Sequence, residues 1–249
     1  MGGAVRDAVC EPRRIRHLPE DLLTAALAPV RVRGMSGPPP ATRSWDEERA
    51  TARRRLARAG REPLELRSLG DLRVAAIADD PLAGWLRGAC DAALVRPEDW
   101  RPKLEAHPPH LLLVEAGWRG NGGAWQYRIA WYAHPDALLR RDLRALVEWC
   151  AARDVPSVFW DTAERPSSDR FVEAGTLFDL VVARDGEAAG RHIGHPDRRG
   201  AGAAVLDPPA GPDHLRTTLG RLAATIGIRI EGEPAEPVDF DSLATRTAA

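Results

Sequence analysis

From Leu72 onward, short apolar runs alternate with amphipathic stretches, and this alternation constrains the fold more than any other feature of the 249-residue chain. Residues 72–78, 110–115, 155–160 and 178–182 are mostly apolar, the pattern of strands covered on both faces. Weaker strands are expected at 92–95 and 203–206. Helices are expected over 82–90, from Pro97-Glu98-Asp99-Trp100 to just before Pro108-Pro109, and over 136–152. In the last of these, Leu139, Leu143, Leu146, Val147 and Cys150 fall on one helical face. Strands alternating with helices in this way predict the α/β class, with a single doubly wound parallel sheet.

The rest of the chain divides around that core. Residues 1–70 read as an N-terminal helical appendage and linker, 71–212 as the α/β domain, and 213–249 as a C-terminal helix with an acidic, proline-containing tail. In the appendage a short helix spans 19–27, Gly34 to Pro40 breaks structure, and Ser44-Trp45-Asp46-Glu47 is a capping box heading a second helix that Gly60 stops. The apolar face of that second helix, mainly Leu56 and alanines, is thin, so it is expected to lie on a surface; a basic helix that docks a partner is the alternative.

Composition removes several classes of function. With 44% hydrophobic and 29% charged residues the chain can bury a sizeable core. Its basic residues, all arginine but Lys103, are scattered among acids to a net charge of −1, so nucleic-acid binding is not expected. No apolar run approaches the ~18 residues of a membrane span. The N-terminus lacks the apolar core of a secretory signal, and Arg6 breaks a myristoylation pattern. A cytoplasmic location is therefore expected. Cys10, Cys90 and Cys150 are isolated, which argues against a zinc site or a disulfide framework. With no GxGxxG after the first strand, no Walker loop and no GxSxG elbow, neither a metal nor a cofactor is expected.

In doubly wound sheets ligands bind beyond the carboxyl ends of the strands. The residues expected there are Asp79 and Asp80, Glu115 to Trp125, Trp160 to Arg165, and Arg184-Asp185. The run Glu115-Ala116-Gly117-Trp118-Arg119-Gly120-Asn121-Gly122-Gly123-Ala124-Trp125 stands out. Its glycines allow the backbone to approach a ligand, and its tryptophans and arginine suit a sugar face or an anion. The structural alternative is a loop folded over the sheet edge, with the tryptophans packed and Asn121 holding a turn. An acidic pair after the first strand also occurs in phosphorelay receiver domains, but Glu115 stands where that family has its phosphate-accepting Asp and no lysine follows Lys103. Asp79 or Asp80 as a helix cap is the plain alternative. His107 and His110 lack a third ligand, and His192, His195, Arg198 and Arg199 read either as a phosphate-binding loop or as a solvated one.

The stretch from Leu72 to Pro212 resembles the N-terminal domain of CgeB-type spore maturation proteins and related bacterial glycosyltransferases. The resemblance is carried by residues 73–79, the 97–100 helix start, Leu112-Leu113-Val114-Glu115-Ala116-Gly117-Trp118-Arg119-Gly120, Trp125, and the segments 155–160, 178–182 and 204–208. It implies a GT-B arrangement of two Rossmann-like domains, the acceptor held mostly by the first and the nucleotide-sugar by the second. The chain departs from that family after Trp160, where Asp161-Thr162-Ala163-Glu164-Arg165-Pro166 replaces an Asn-Lys-Glu-Asp-Pro-like stretch. Only 37 residues follow Pro212, too few for a second Rossmann-like domain, so the donor half is expected on another polypeptide or a second copy of the chain.

Two functions follow as expectations. In the first, the chain is the acceptor-side half of a glycosyltransferase acting on a sugar or glycosylated acceptor. Asp79 or Glu115 would then be the catalytic base, with Asp80, Trp118, Arg119, Gly120, Asn121, Gly123, Trp125, Trp160, Asp161, Arg165 and Asp185 around the substrate. In the second, it is a non-catalytic binding or assembly module that retains the fold.

Overall fold

The computed structural model describes residues 47–52, 54, 63–130, 141–165, 167–233 and 237. The expected helix at 19–27, the break at 34–40, the capping residues Ser44 to Asp46, the first turn of the 136–152 helix and the acidic tail beyond 237 lie outside them.

The chain is an α/β protein. Strands β1 (Leu64–Leu66), β2 (Arg73–Ile77), β3 (Asp91–Leu94), β4 (Leu111–Glu115), β5 (Ser157–Asp161), β6 (Leu180–Ala183), β7 (Gly202–Val205) and β8 (Ile228–Ile230) alternate with helices. The helices are α1 (Leu82–Ala89), α2 (Trp100–Ala106), α3 (Arg141–Ala151), α4 (Val172–Gly175), α5 (Gly186–Gly194) and α6 (Pro212–Thr225). Six strands form one sheet in the order β3-β2-β4-β5-β6-β7, every pair parallel.

Alternation along each strand sorts the core into two layers. Val74, Ala76, Leu111, Leu113, Val158, Trp160, Leu180 and Val182 point to one face, where α1 and α6 cover them through Leu82, Leu86, Leu215, Leu219 and Leu222. Ala75, Ile77, Leu112, Val114, Phe159 and Val181 point to the other, against α2, α3 and α5 through Leu104, Leu143, Leu146 and Ala189. Both faces are dry, which explains why the strands read as apolar runs.

Three features differ from the expected pattern. The stretch assigned to the appendage contains β1, which pairs in parallel with β8 as a separate two-stranded sheet, Leu64 opposite Ile228 and Leu66 opposite Ile230. Residues 47–52 are helical, and the turn is tied down rather than loosely laid on a surface: Ala52 is buried, Glu48 pairs with Arg199 at 3.0 Å, and Arg49 donates to the Arg198 carbonyl at 3.0 Å. His192 lies inside α5 and not in a basic loop. Asp185 starts that helix by accepting the Ala188 amide at 2.8 Å, and Ala188, Ala189 and His192 form its buried face.

Ile228 packs in the α1/α6 layer whereas Leu64, 43% exposed, faces outward from the two-stranded sheet. Ile228→Ala is therefore expected to cost about 2–5 kcal/mol in a denaturant melt, and Leu64→Ala less than about 1 kcal/mol.

Candidate functional site

The chain leaves β2 towards α1 on one face of the sheet and leaves β4 towards α3 on the other. The two strands are neighbours, so a crevice opens between their carboxyl ends, the place where parallel α/β sheets take ligands. Asp79 and Asp80 follow β2, and Glu115 to Trp125 leave β4, so the topology brings these sequence candidates together.

The glycine-rich loop is built to lie over the end of β2. Asn121, at φ +51°, turns its side chain onto strand ends: Oδ1 accepts the Ala78 amide at 3.1 Å, and Nδ2 donates to the carbonyls of Ala76 (2.8 Å) and Val95 (2.7 Å). The indole of Trp125 is fully buried and donates to the same Val95 carbonyl at 2.7 Å. Gly120 has φ +49°, and a Cβ there would fall 2.8 Å from Trp125 and 2.9 Å from Ile77. A Cβ on Gly117 would fall 2.6 Å from the Asp79 carboxylate. Of the residues expected to meet substrate, Gly120, Asn121 and Trp125 therefore hold the loop in place. Gly123, at φ +100°, shapes its turn.

Trp118 and Arg119 are the loop's outward residues. The Trp118 ring is 40% exposed and rests edge-on against Phe171, 5.1 Å between centroids. The Arg119 amide donates to Asp79 Oδ2 at 3.2 Å.

Beneath them the Glu115 carboxylate reaches the main chain of Asp79. Glu115 Oε2 accepts the Asp79 backbone amide at 2.8 Å, and Glu115 Oε1 accepts the Thr162 hydroxyl at 3.1 Å. Burial pushes the Glu115 carboxyl above its ordinary range; the two hydrogen bonds pull it back and the Asp79 charge adds to the rise. Asp79 is half-buried and Asp80 exposed. Neither caps α1, whose N-terminal residue Pro81 offers no side-chain cap; the Asp79 carbonyl instead accepts the Ala83 amide at 3.0 Å.

The remaining candidates are elsewhere. Trp160 is fully buried in the α1/α6 layer, because strand alternation turns it away from the crevice. Asp161, also fully buried, points to the opposite layer and accepts from Ser168 Oγ at 2.7 Å, with His192 Nε2 at 3.0 Å. Arg165 pairs with Glu187 at 2.5 Å, and Asp185 is spent on the α5 cap. His107 pairs with Asp91 at 2.7 Å, and His110 accepts the Arg73 amide at 3.2 Å. Among the described residues no group of three His, Cys, Asp or Glu side chains is placed to hold a metal ion, and no helix is long and apolar enough to cross a membrane.

Phe171 is not among the residues expected at the crevice from the sequence, and Thr162 has no expected role of its own there. Thr162 sat inside the 160–165 strand-end segment without a distinguishing motif, and Phe171 carries no pattern signal. No protein-family model matches the chain, and no curated protein matches it.

Trp118→Ala is expected to lose less than about 1 kcal/mol in a denaturant melt, and Trp125→Ala about 3–5 kcal/mol. A second expectation concerns Glu115. Because its folded carboxyl titrates above the unfolded one, the native state binds the extra proton, and stability falls as pH rises through that window. Burial of the charge thus opposes folding above the window and ceases to do so below the unfolded value of 4.5. Melts of Glu115→Gln and wild type from about pH 4 to about pH 7 should show the variant gaining relative stability with rising pH.

Proposed function

We propose that this chain is the acceptor-side half of a glycosyltransferase-type enzyme, with the nucleotide-sugar presented by a separate donor-binding subunit or a second copy. The observation that carries the reading is the meeting of Asp79 and Glu115 at the switch point of the sheet, below an outward tryptophan. The resemblance of residues 72–212, centred on Val114-Glu115-Ala116-Gly117-Trp118-Arg119-Gly120, supports sugar as the substrate class.

In this reading the Trp118 ring takes the apolar face of a sugar, and Asp79 takes the proton of the attacking hydroxyl. The acceptor oxygen then bonds the anomeric carbon as the bond from that carbon to the donor's phosphate oxygen breaks. Asp79 suits the base because its Oδ2 is held by the Arg119 amide while its main chain is held by Glu115. Glu115 takes two hydrogen bonds of its own, so it orients Asp79 rather than meeting the acceptor. Such positioning converts an encounter of two hydroxylated molecules into reaction within one complex.

A non-catalytic module is the second reading. It is favoured by the structural employment of Asn121, Trp125 and Asp161, which leaves few polar side chains for a substrate.

Calorimetry separates the two. Uridine and guanosine diphosphate sugars should bind the isolated chain weakly or not at all, and a glycosylated acceptor should bind it and bind Trp118→Ala less well. Addition of a donor-binding partner should give transfer that Asp79→Asn reduces by about 10²-fold or more. Micromolar binding of a nucleotide-sugar by the chain alone would overturn the assignment of an acceptor half.

A further inference from the structure

The buried cluster around Asp161 is unused by the proposed chemistry, yet the segment that starts from it reaches Glu115 through Thr162 and Trp118 through Phe171. The carboxylate is fully buried. Its Oδ2 collects the Ser168 hydroxyl at 2.7 Å and faces His192 Nε2 at 3.0 Å, and its Oδ1 accepts the Ala163 amide at 3.2 Å. These donors come from three places: the exit of β5, the short turn Ser167–Arg170, and α5. From outside the core, Arg191 donates to the Ser168 hydroxyl at 2.8 Å and pairs with Asp169 at 3.0 Å. His192 fits because residue 175 is glycine; a Cβ there would fall 2.5 Å from its Nδ1.

The geometry makes one carboxylate the base of a closed loop. The chain leaves the sheet at Asp161 and returns to the same oxygen seven residues later, at Ser168. The first residue of the loop, Thr162, donates to Glu115. Three residues past its closure, the Phe171 ring supports Trp118. Apolar side chains would pack a buried site at lower cost than a polar carboxyl group, so Asp161 serves geometry better than stability.

We propose that Asp161 is a positioning residue, whose carboxylate clamps the 162–168 loop and thereby holds Thr162 on Glu115 and Phe171 on Trp118. The clamp's consequence for catalysis rests on the reading of Asp79 and Glu115 given above. Its geometry does not, and the test involves no sugar.

The full chain, labelled with 13C at its glutamate carboxyls, is titrated by NMR; Glu115→Gln identifies the Glu115 signal. Thr162→Val should move the Glu115 midpoint upward, since it removes a donor to the charged form, and Thr162→Ser should restore it. Ser168→Ala should move the midpoint in the same direction and weaken the nuclear Overhauser contact between Trp118 and Phe171. If Ser168 acts through Thr162, the double variant should show the midpoint of Thr162→Val alone. Arg191→Met, which removes the outer support of the Ser168 hydroxyl together with the Asp169 and Glu187 pairings but leaves the Ser168 bond to Asp161 in place, should give a smaller shift of the same sign and replaces Ser168→Ala if that variant does not fold. A wild-type midpoint and an intact Trp118–Phe171 contact in the Ser168 or Arg191 variant would overturn the proposal, as would additive shifts in the double variant. Either result leaves the calorimetric test of the acceptor reading independent.

Discussion

The carboxyl edge of the sheet depends on one side chain. Asn121 gives its amide oxygen to the Ala78 N–H and its amide nitrogen to the carbonyls of Ala76 and Val95, so it finishes the hydrogen bonding of β2 and of the residue following β3. The Ala76 carbonyl also accepts the Val95 amide and the Val95 carbonyl the Trp125 indole, so the group that rests on Asn121 is the Ala78 amide, and a buried donor left bare costs about 1–3 kcal/mol. Meeting it from a loop fixes where the loop runs. The path of the loop then decides that Trp125 is buried, that Gly117 lies beside Asp79, and that Trp118 faces outward.

This arrangement divides the labour within eleven consecutive residues. Glycines at 117 and 120 permit contacts that any Cβ would block, while Asn121 and Trp125 hold the loop down. Among its side chains only those of Trp118 and Arg119 are exposed. The crevice is therefore stiff on the β4 side by backbone geometry. On the β5 side it is held by the hydrogen bonds that Ser168 and Ala163 donate to Asp161, with His192 beside them.

Much of the sheet was legible because a strand dry on both faces must be apolar at nearly every position, as Leu111-Leu112-Leu113-Val114 is. The short pair β1 and β8 escaped notice since three residues, Leu-Glu-Leu or Ile-Arg-Ile, are too few to establish a period. Helix α5 was hidden by Gly186, Gly190 and Gly194, residues of poor helix propensity, and its histidine was read as loop. At the crevice, proximity to a strand end identified Asp79, Glu115 and Trp118 as neighbours, whereas the same rule misplaced Trp160 and Asp161. Period-two alternation accounts for both: Val158 and Phe159 point to opposite layers of the structure, and Trp160 and Asp161 follow them into those layers. The Thr162 contact with Glu115 spans 47 positions and leaves no local trace in the sequence.

The parallel clasp of β1 and β8 has a topological consequence. Leu64 lies opposite Ile228 and Leu66 opposite Ile230, so the segment leading into β2 and the segment following α6 run side by side, within about 10 Å of each other. The same closure joins segments more than 160 positions apart, so among the described strand pairs the clasp carries the largest loop-closure entropy.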